Sequence, residues 1–223
     1  MEEVKAKILK NGVIVAGHPR SGTSLMCQLV ESGGVEFPSD FEGDEYNKAG
    51  YFELEINKEL TKKLIQEAMT VNNTIKMNKV VERLNNCSGS GGLKLVRIPA
   101  IFFYRHVAKK LKAVFIFRNP ADVKSSLLRR GISTFSPNWF NNNNALIAAH
   151  ENIEESILVS YERLLKGDPK LKELFKTLDL DIDLNLIQGE QRTQKSSQVV
   201  IKPEEKELFA RLKKLEKEGL KQI

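Results

Sequence analysis

The stretch VIVAGHPRSGTSLMCQLVESGG, residues 13–34, leaves few folds open to this chain. An apolar run from Val13 ends at Gly17, a second glycine follows at Gly22, and helical apolar spacing then continues to a stop at Gly33 and Gly34. Strand, tight glycine turn and helix in direct succession predict a buried parallel strand feeding a helix that covers it. Further strands are expected at Leu93 to Val96, Ala113 to Phe117 and Ser156 to Tyr161. Helices are expected over Leu54 to Thr70, Val80 to Leu84 and AIFFYRHVAKKLK with Pro99 near its start. Others are expected from Pro120 to a stop at Gly131, within NWFNNNNALIAAHENI, and after Pro203, where Leu208, Leu212, Leu215 and Leu220 form an apolar stripe. SGSGG, Ser88 to Gly92, reads as a loop. Strands alternating with helices predict an α/β chain with helices on both faces of a central parallel sheet. With 223 residues, no internal repeat and no long linker, residues 1–223 are expected to form a single domain.

Composition narrows the function classes. Hydrophobic residues make up 41% and charged residues 29%, which fits a globular chain and excludes a disordered one. A formal net charge of +6 suits an anionic ligand, but equally nucleic acid, an anionic membrane surface or a merely soluble basic exterior. Tyrosine and phenylalanine fall mostly in core segments rather than between basic clusters, which argues against nucleic acid. Cys27 and Cys87 have neither metal-ligand spacing nor the pattern of a disulfide framework, and Cys27 reads as a small core residue, so no metal site is expected. No apolar stretch approaches the roughly 20 residues needed to span a bilayer, and MEEVKAKILK is not a signal peptide. The expectation is a cytoplasmic protein without a membrane span.

In parallel sheets ligands bind outside the carboxyl ends of the strands. There the segment GHPRSGTS nearly matches the phosphate-loop pattern G-x-x-x-x-G-K-[ST]. Gly17 and Gly22 hold the glycine positions and Ser24 the hydroxyl, but Thr23 stands where the lysine belongs and Arg20 supplies a cation three residues earlier. The backbone cradle needs only the turn and a helix N-terminus, and that part is intact. Missing is the charge that reaches the outer phosphates of a nucleoside triphosphate. The plain alternative is a tight turn with Ser21 as a helix cap. A second motif, FIFRNPADVKSSLLRR, places Arg118 at a strand end and Ser126 eight residues on in the next helix. Such a pair can hold a second phosphate, or be a salt-bridging strand terminus and a solvated helix residue.

Together GHPRSGTS and FRNPADVKSS resemble the two signature regions of sulfotransferases that use 3′-phosphoadenosine 5′-phosphosulfate (PAPS). The likeness runs over roughly residues 12–180 and implies a P-loop NTPase-like, three-layer α/β/α fold. It also implies Arg20, Ser21, Gly22, Thr23 and Ser24 on the 5′-phosphosulfate, and Arg118 with Ser126 on the 3′-phosphate. Tyr161, in VSYERLLKGDPKLKELFKTLDL, would lie against adenine. Many cytosolic members take the acceptor's proton with the histidine of a Lys-x-His element. Here Lys94 matches the lysine but Val96 stands at the histidine position, so the base lies elsewhere. NKAGYFE is similar to a bacterial branch of the family, which makes Glu53 the preferred base, against an ordinary charge at a helix N-terminus; Asp44 and Glu45 stand in reserve. His18 lies in the cradle, as ligand contact or loop support, while His106 and His150 read as packing or solvent residues. Lys94 can neutralise sulfuryl oxygens and Arg97 can orient an acidic acceptor, or both can be structural ion pairs. Arg192 in QRTQKSS either closes over the 3′-phosphate or belongs to a surface loop. The expected reaction is metal-free in-line transfer to a hydroxyl or amine of a small molecule, glycan or peptide. Its acceptor walls would be Glu36 to Phe52 and Pro137 to Asn144. The rivals are a P-loop kinase of small molecules or nucleosides, which needs a lysine at position 23 and a metal-holding acid, and a non-catalytic binder of nucleotides or nucleic acid that keeps a degraded form of the fold.

Overall fold

The computed structural model describes residues 4–43, 50–67, 69–133, 138–187 and 199–223. One five-stranded sheet has the order β2-β3-β1-β4-β5, formed by Val35–Glu36 (β2), Ser90–Leu95 (β3), Leu9–Ala16 (β1), Ala108–Phe117 (β4) and Ser156–Ser160 (β5). Every pairing is parallel. Helices α1 (Thr23–Ser32), α2 (Glu55–Leu64), α3 (Val71–Asn85), α4 (Ile101–Val107), α5 (Pro120–Leu128) and α6 (Asn138–Asn152) lie between the strands, and α7 (Tyr161–Leu165), α8 (Lys170–Lys176) and α9 (Pro203–Gly219) follow β5.

Strand alternation divides the core in two. Ile14 and Ala16 of β1, with Leu93, Leu95, Phe115, Phe117 and Leu158, face a layer that includes Leu60 of α2, Met77 of α3, Tyr104 of α4, Trp139 of α6 and Leu212 of α9. Val13 and Val15, with Val114, Ile116, Ile157 and Val159, face Met26 of α1, Leu164 of α7 and Phe175 of α8. Both faces of β1 are therefore apolar, as expected for a central parallel strand. The register sets Ala16 against Leu95 and Phe115, and Phe117 against Ser160. Gly17, Arg118 and Tyr161 thereby emerge along one edge of three adjacent strands.

Several expected boundaries move. AKKLK is not the end of a helix: α4 stops at Val107 and Ala108 already pairs with Leu9 of β1. The ladder to β1 outweighs the helix preference of the lysines. Part of the expected loop SGSGG belongs to β3, where Gly91 and Gly92 pair with Gly12 and Val13. The expected helix over Leu54 to Thr70 breaks after Leu64, and Thr70 caps α3 by accepting from Asn73 N at 3.2 Å. The short helix expected at Val80 to Leu84 is the second half of α3. Tyr161 opens α7 rather than closing a strand. In α9 Pro203 occupies the first turn; of the expected stripe Leu208 and Leu212 are buried and Leu215 partly so, while Leu220, just past the helix, is buried in the other half of the core. Among the described residues no helix is long and apolar enough to cross a membrane.

Candidate active site

The turn after β1 is built around its two glycines. A Cβ on Gly17 would lie 2.5 Å from the Ile116 carbonyl oxygen of β4, so only glycine lets the chain leave the sheet this close to its neighbour. Gly22 has φ 91° and is the N-cap of α1, and a Cβ there would sit 2.3 Å from Cδ2 of Tyr161. No side chain caps α1, so Ser21 is not the helix cap that the plain alternative required. The Ser21 hydroxyl is buried without a hydrogen-bond partner among the described residues. A helix N-terminus without a side-chain cap beside a buried orphan hydroxyl is a fit for an anion.

Tyr161 is fixed from two sides. Ser160 caps α7 by accepting from Arg163 N at 3.3 Å, and Glu216 of α9 accepts from Ser160 N and Oγ at 2.8 and 2.9 Å. The Arg118 guanidinium lies 4.3 Å from the Tyr161 ring centroid. Glu162 accepts from Asn119 N at 2.9 Å, which ties the loop after β4 to the start of α7, and burial raises the pKa of its carboxyl.

The two signature regions meet directly. Arg20 Nε donates to Ser126 Oγ at 3.1 Å, and Arg118 donates to the Arg20 carbonyl at 3.1 Å, across 106 and 98 residues of sequence. Arg20 is left-handed, with φ 71°, an unfavourable setting for a non-glycine residue that the hydrogen bond from Arg118 helps hold. Arg118 and Ser126 are both buried. The Arg20 pKa is lowered by burial first, then by repulsion from Arg130 and Arg118. Like charges gathered in a half-buried place favour an anion among them. Arg130 closes the FIFRNPADVKSSLLRR motif two residues past the end of α5, and the sequence alone assigns it no role.

On the other side of the cradle stands Lys94, nearly buried at 4% side-chain exposure. Its ammonium donates to Ser24 Oγ at 3.1 Å and to the Tyr51 carbonyl at 2.7 Å, and pairs with Glu53 Oε1 at 3.0 Å. Lys58 approaches the other Glu53 oxygen at 3.5 Å. The preferred base and the preferred sulfuryl cation are thus one ion pair against the loop hydroxyl. Arg97 donates to the Lys58 carbonyl at 3.4 Å. His106 bonds the Phe102 carbonyl within its own helix, and His150 bonds Ser156 Oγ at 2.8 Å beside Phe115, which are packing roles. Cys27 is fully buried, as expected of a core residue, and burial pushes its thiol pKa up. Asp44, Glu45 and Arg192 lie outside the described residues.

His18 is buried in the cradle and accepts at Nδ1 from the Asn142 amide of α6 at 3.0 Å. Burial lowers its pKa from 6.5 to about 4. Between those values the unfolded chain binds the proton and the folded one does not, so this contribution to stability is complete above pH 6.5 and fades as pH falls toward 4. At 1.36 kcal/mol per pH unit the loss is on the order of 3 kcal/mol. Urea midpoints measured from pH 7 down to 4 should fall less steeply for His18→Gln than for the native protein; parallel curves would rule out a buried neutral imidazole.

No family model matches the sequence, and no curated protein matches it either. Solved structures do. The sulfotransferase domain from the curacin biosynthetic pathway is 15% identical, with 84% of this chain and 80% of that one covered at a TM-score of 0.54. The sulfotransferase domain of the Synechococcus PCC 7002 olefin synthase is 18% identical, with 85% and 80% covered at a TM-score of 0.52. The expected architecture is therefore confirmed: this chain has the α/β fold of sulfotransferase domains.

Proposed function

We propose that the protein is a PAPS-dependent sulfotransferase, a single domain that moves a sulfuryl group to a hydroxyl or amine of a small molecule, glycan or peptide rather than acting on nucleic acid. The carrying observation is the junction of Arg20, Arg118 and Ser126 beside the uncapped start of α1, with Tyr161 packed against Gly22. One anion at the helix start and a second at Arg118 and Ser126, with a flat aromatic surface nearby, match the two ends and the base of an adenosine bisphosphate.

When bound, PAPS supplies an activated sulfuryl group whose transfer leaves negative charge on the 5′-phosphate. The N–H groups at the start of α1, with Ser21, Thr23 and Ser24, face that charge, and Arg20 adds a cation; one such preorganised donor is worth about 3 kcal/mol. Arg118 and Ser126, with Arg192 from the same reading of the sequence, would hold the 3′-phosphate. In an NTPase the loop hydroxyl reaches the metal. Here the Lys94 ammonium already contacts Ser24 Oγ, a fixed cation at that position, which supports transfer without metal. Glu53, paired with Lys94, is the base that takes the acceptor's proton. The acceptor walls are Glu36 to Phe52 and Pro137 to Asn144, with Asn142 already on His18. Free Cys27 and Cys87 suit a reducing compartment, and we place the enzyme in the cytoplasm.

Thermal unfolding tests this reading. PAP, the product nucleotide, at 100 times its Kd and without metal should stabilise the protein by about 2.7 kcal/mol, whereas ATP with Mg²⁺ should give much less. Stronger protection by ATP with Mg²⁺ would replace the sulfotransferase by the kinase.

A further inference from the structure

A bulky residue held in the left-handed region without any glycine-like excuse marks a place where surrounding structure imposes the backbone. Phe52 is such a residue, with φ 54°, and Gly50 two positions earlier has φ 94°. Between and after them stand Tyr51 and Glu53, whose carbonyl and carboxylate both meet the Lys94 ammonium, at 2.7 and 3.0 Å. With the Ser24 hydroxyl, these partners match the three donors of one ammonium. The left-handed residue turns the chain so that two groups from one short segment converge on a single nitrogen.

The segment is pinned at three points. The Phe52 ring meets Phe37 edge to face, with centroids 5.9 Å apart. Phe37 fits there because residue 92 has no side chain: a Cβ on Gly92 would stand 2.7 Å from three atoms of the Phe37 ring. Gly92 and Lys94 are two apart in β3 and so share one face of the sheet. The same strand face thus seats the aromatic pin and supplies the ammonium. The third pin is backbone: the Glu53 carbonyl accepts from Asp40 N at 2.9 Å, and its N–H donates to Ser39 Oγ at 3.3 Å.

Resting on the sulfotransferase reading, we infer that Phe52, Phe37 and Gly92 are positioning residues for the Lys94–Glu53 pair: an aromatic clasp over a bare strand position holds the left-handed turn that aims both groups at the transfer point. Phe37 and Phe52 fall within the proposed acceptor wall, but this role acts through the Lys94–Glu53 pair, and Gly92 lies outside that wall.

The test uses Phe52→Gly, which relaxes the backbone and removes the pin, and Gly92→Ala, which pushes Phe37 out. Three quantities are read on the full chain: PAP affinity by calorimetry, slow hydrolysis of PAPS to PAP, and acetylation of Lys94 by acetic anhydride, mapped by mass spectrometry against the exposed Lys214. PAP affinity should stay within about threefold in both variants, since neither replaces a residue of the cradle or Arg118. PAPS hydrolysis should fall about tenfold or more, as expected for misplaced reacting groups, and Lys94 acetylation should rise by a similar factor. Adding Phe37→Leu to Gly92→Ala makes room for the new methyl and returns an apolar contact, though not the ring pair, under Phe52, so both should be restored in part, which general destabilisation would not do. Native hydrolysis and a protected Lys94 in both variants would overturn the clasp, and so would a Gly92→Ala defect that Phe37→Leu does not relieve. Absence of PAP binding by the native protein would instead defeat the sulfotransferase reading, and Lys94 acetylation would still report on the clasp.

Discussion

Lys94→Met should lower the melting temperature by about 10 °C, and Glu53→Gln added to it should recover most of that loss. Lys94 is the positive half of a nearly buried pair at 3.0 Å, and removing it leaves the Glu53 carboxylate with Lys58, at 3.5 Å, as its remaining ion-pair partner among the described residues. Breaking a buried pair from one side costs about 3 to 5 kcal/mol, whereas removing both charges is often close to neutral. The second lysine places this site at the lower end, about 3 kcal/mol, and for a chain of this size each kcal/mol moves the melting temperature by about 2 to 4 °C. A double-mutant cycle by calorimetric unfolding measures the coupling. Strictly additive losses would mean that the two side chains do not depend on each other, and the site as described would be wrong. Transfer activity should not recover in the double variant, because stability needs the charges balanced while the proposed chemistry needs both groups present.

Arg118→Met should weaken PAP binding about a hundredfold. Two effects combine in that figure. A buried guanidinium on the 3′-phosphate is a charge-assisted contact worth about 1.5 to 3 kcal/mol, and the same group holds the carbonyl of left-handed Arg20 at 3.1 Å. Loss of Arg118 therefore loosens the loop as well as the proposed second anion site. Arg118→Lys should not restore affinity, because an ammonium cannot both lie flat near the Tyr161 ring and bond two acceptors in a fixed fork. Titration calorimetry with 5′-AMP beside PAP separates the effects, since 5′-AMP should lose only the part that acts through Arg20. An unchanged PAP affinity in Arg118→Met would remove the ground for the enzyme assignment.

Much of the frame was legible because its signals are local. β1 is apolar on both faces, its exit is glycine, and the helix that follows repeats at helical spacing, all within residues 9–32. Arg118 and Ser126 carry their own strand-and-helix context in the same way. The misreadings fell where the deciding partner is distant. AKKLK looks helical until β1 offers it a ladder, and SGSGG looks like a loop until Gly91 and Gly92 prove to be strand positions kept bare for Leu84 and Phe37. Glu53 and Lys94 were each singled out, but nothing in either segment announces that they are partners.

By itself the sequence determined the alternation of elements, the glycine turn of the proposed anion cradle and the chemical identity of the groups near it, because these depend on side-chain periodicity and on residues a few positions apart. Tertiary structure alone decided that Arg20 reaches Ser126 over 106 residues, that Gly22 leaves room for Tyr161, and that Lys94 joins Ser24, Tyr51 and Glu53. The reason is geometric. A parallel sheet brings the carboxyl ends of non-consecutive strands side by side, so contacts at that edge follow strand order and register, which no short window of sequence contains.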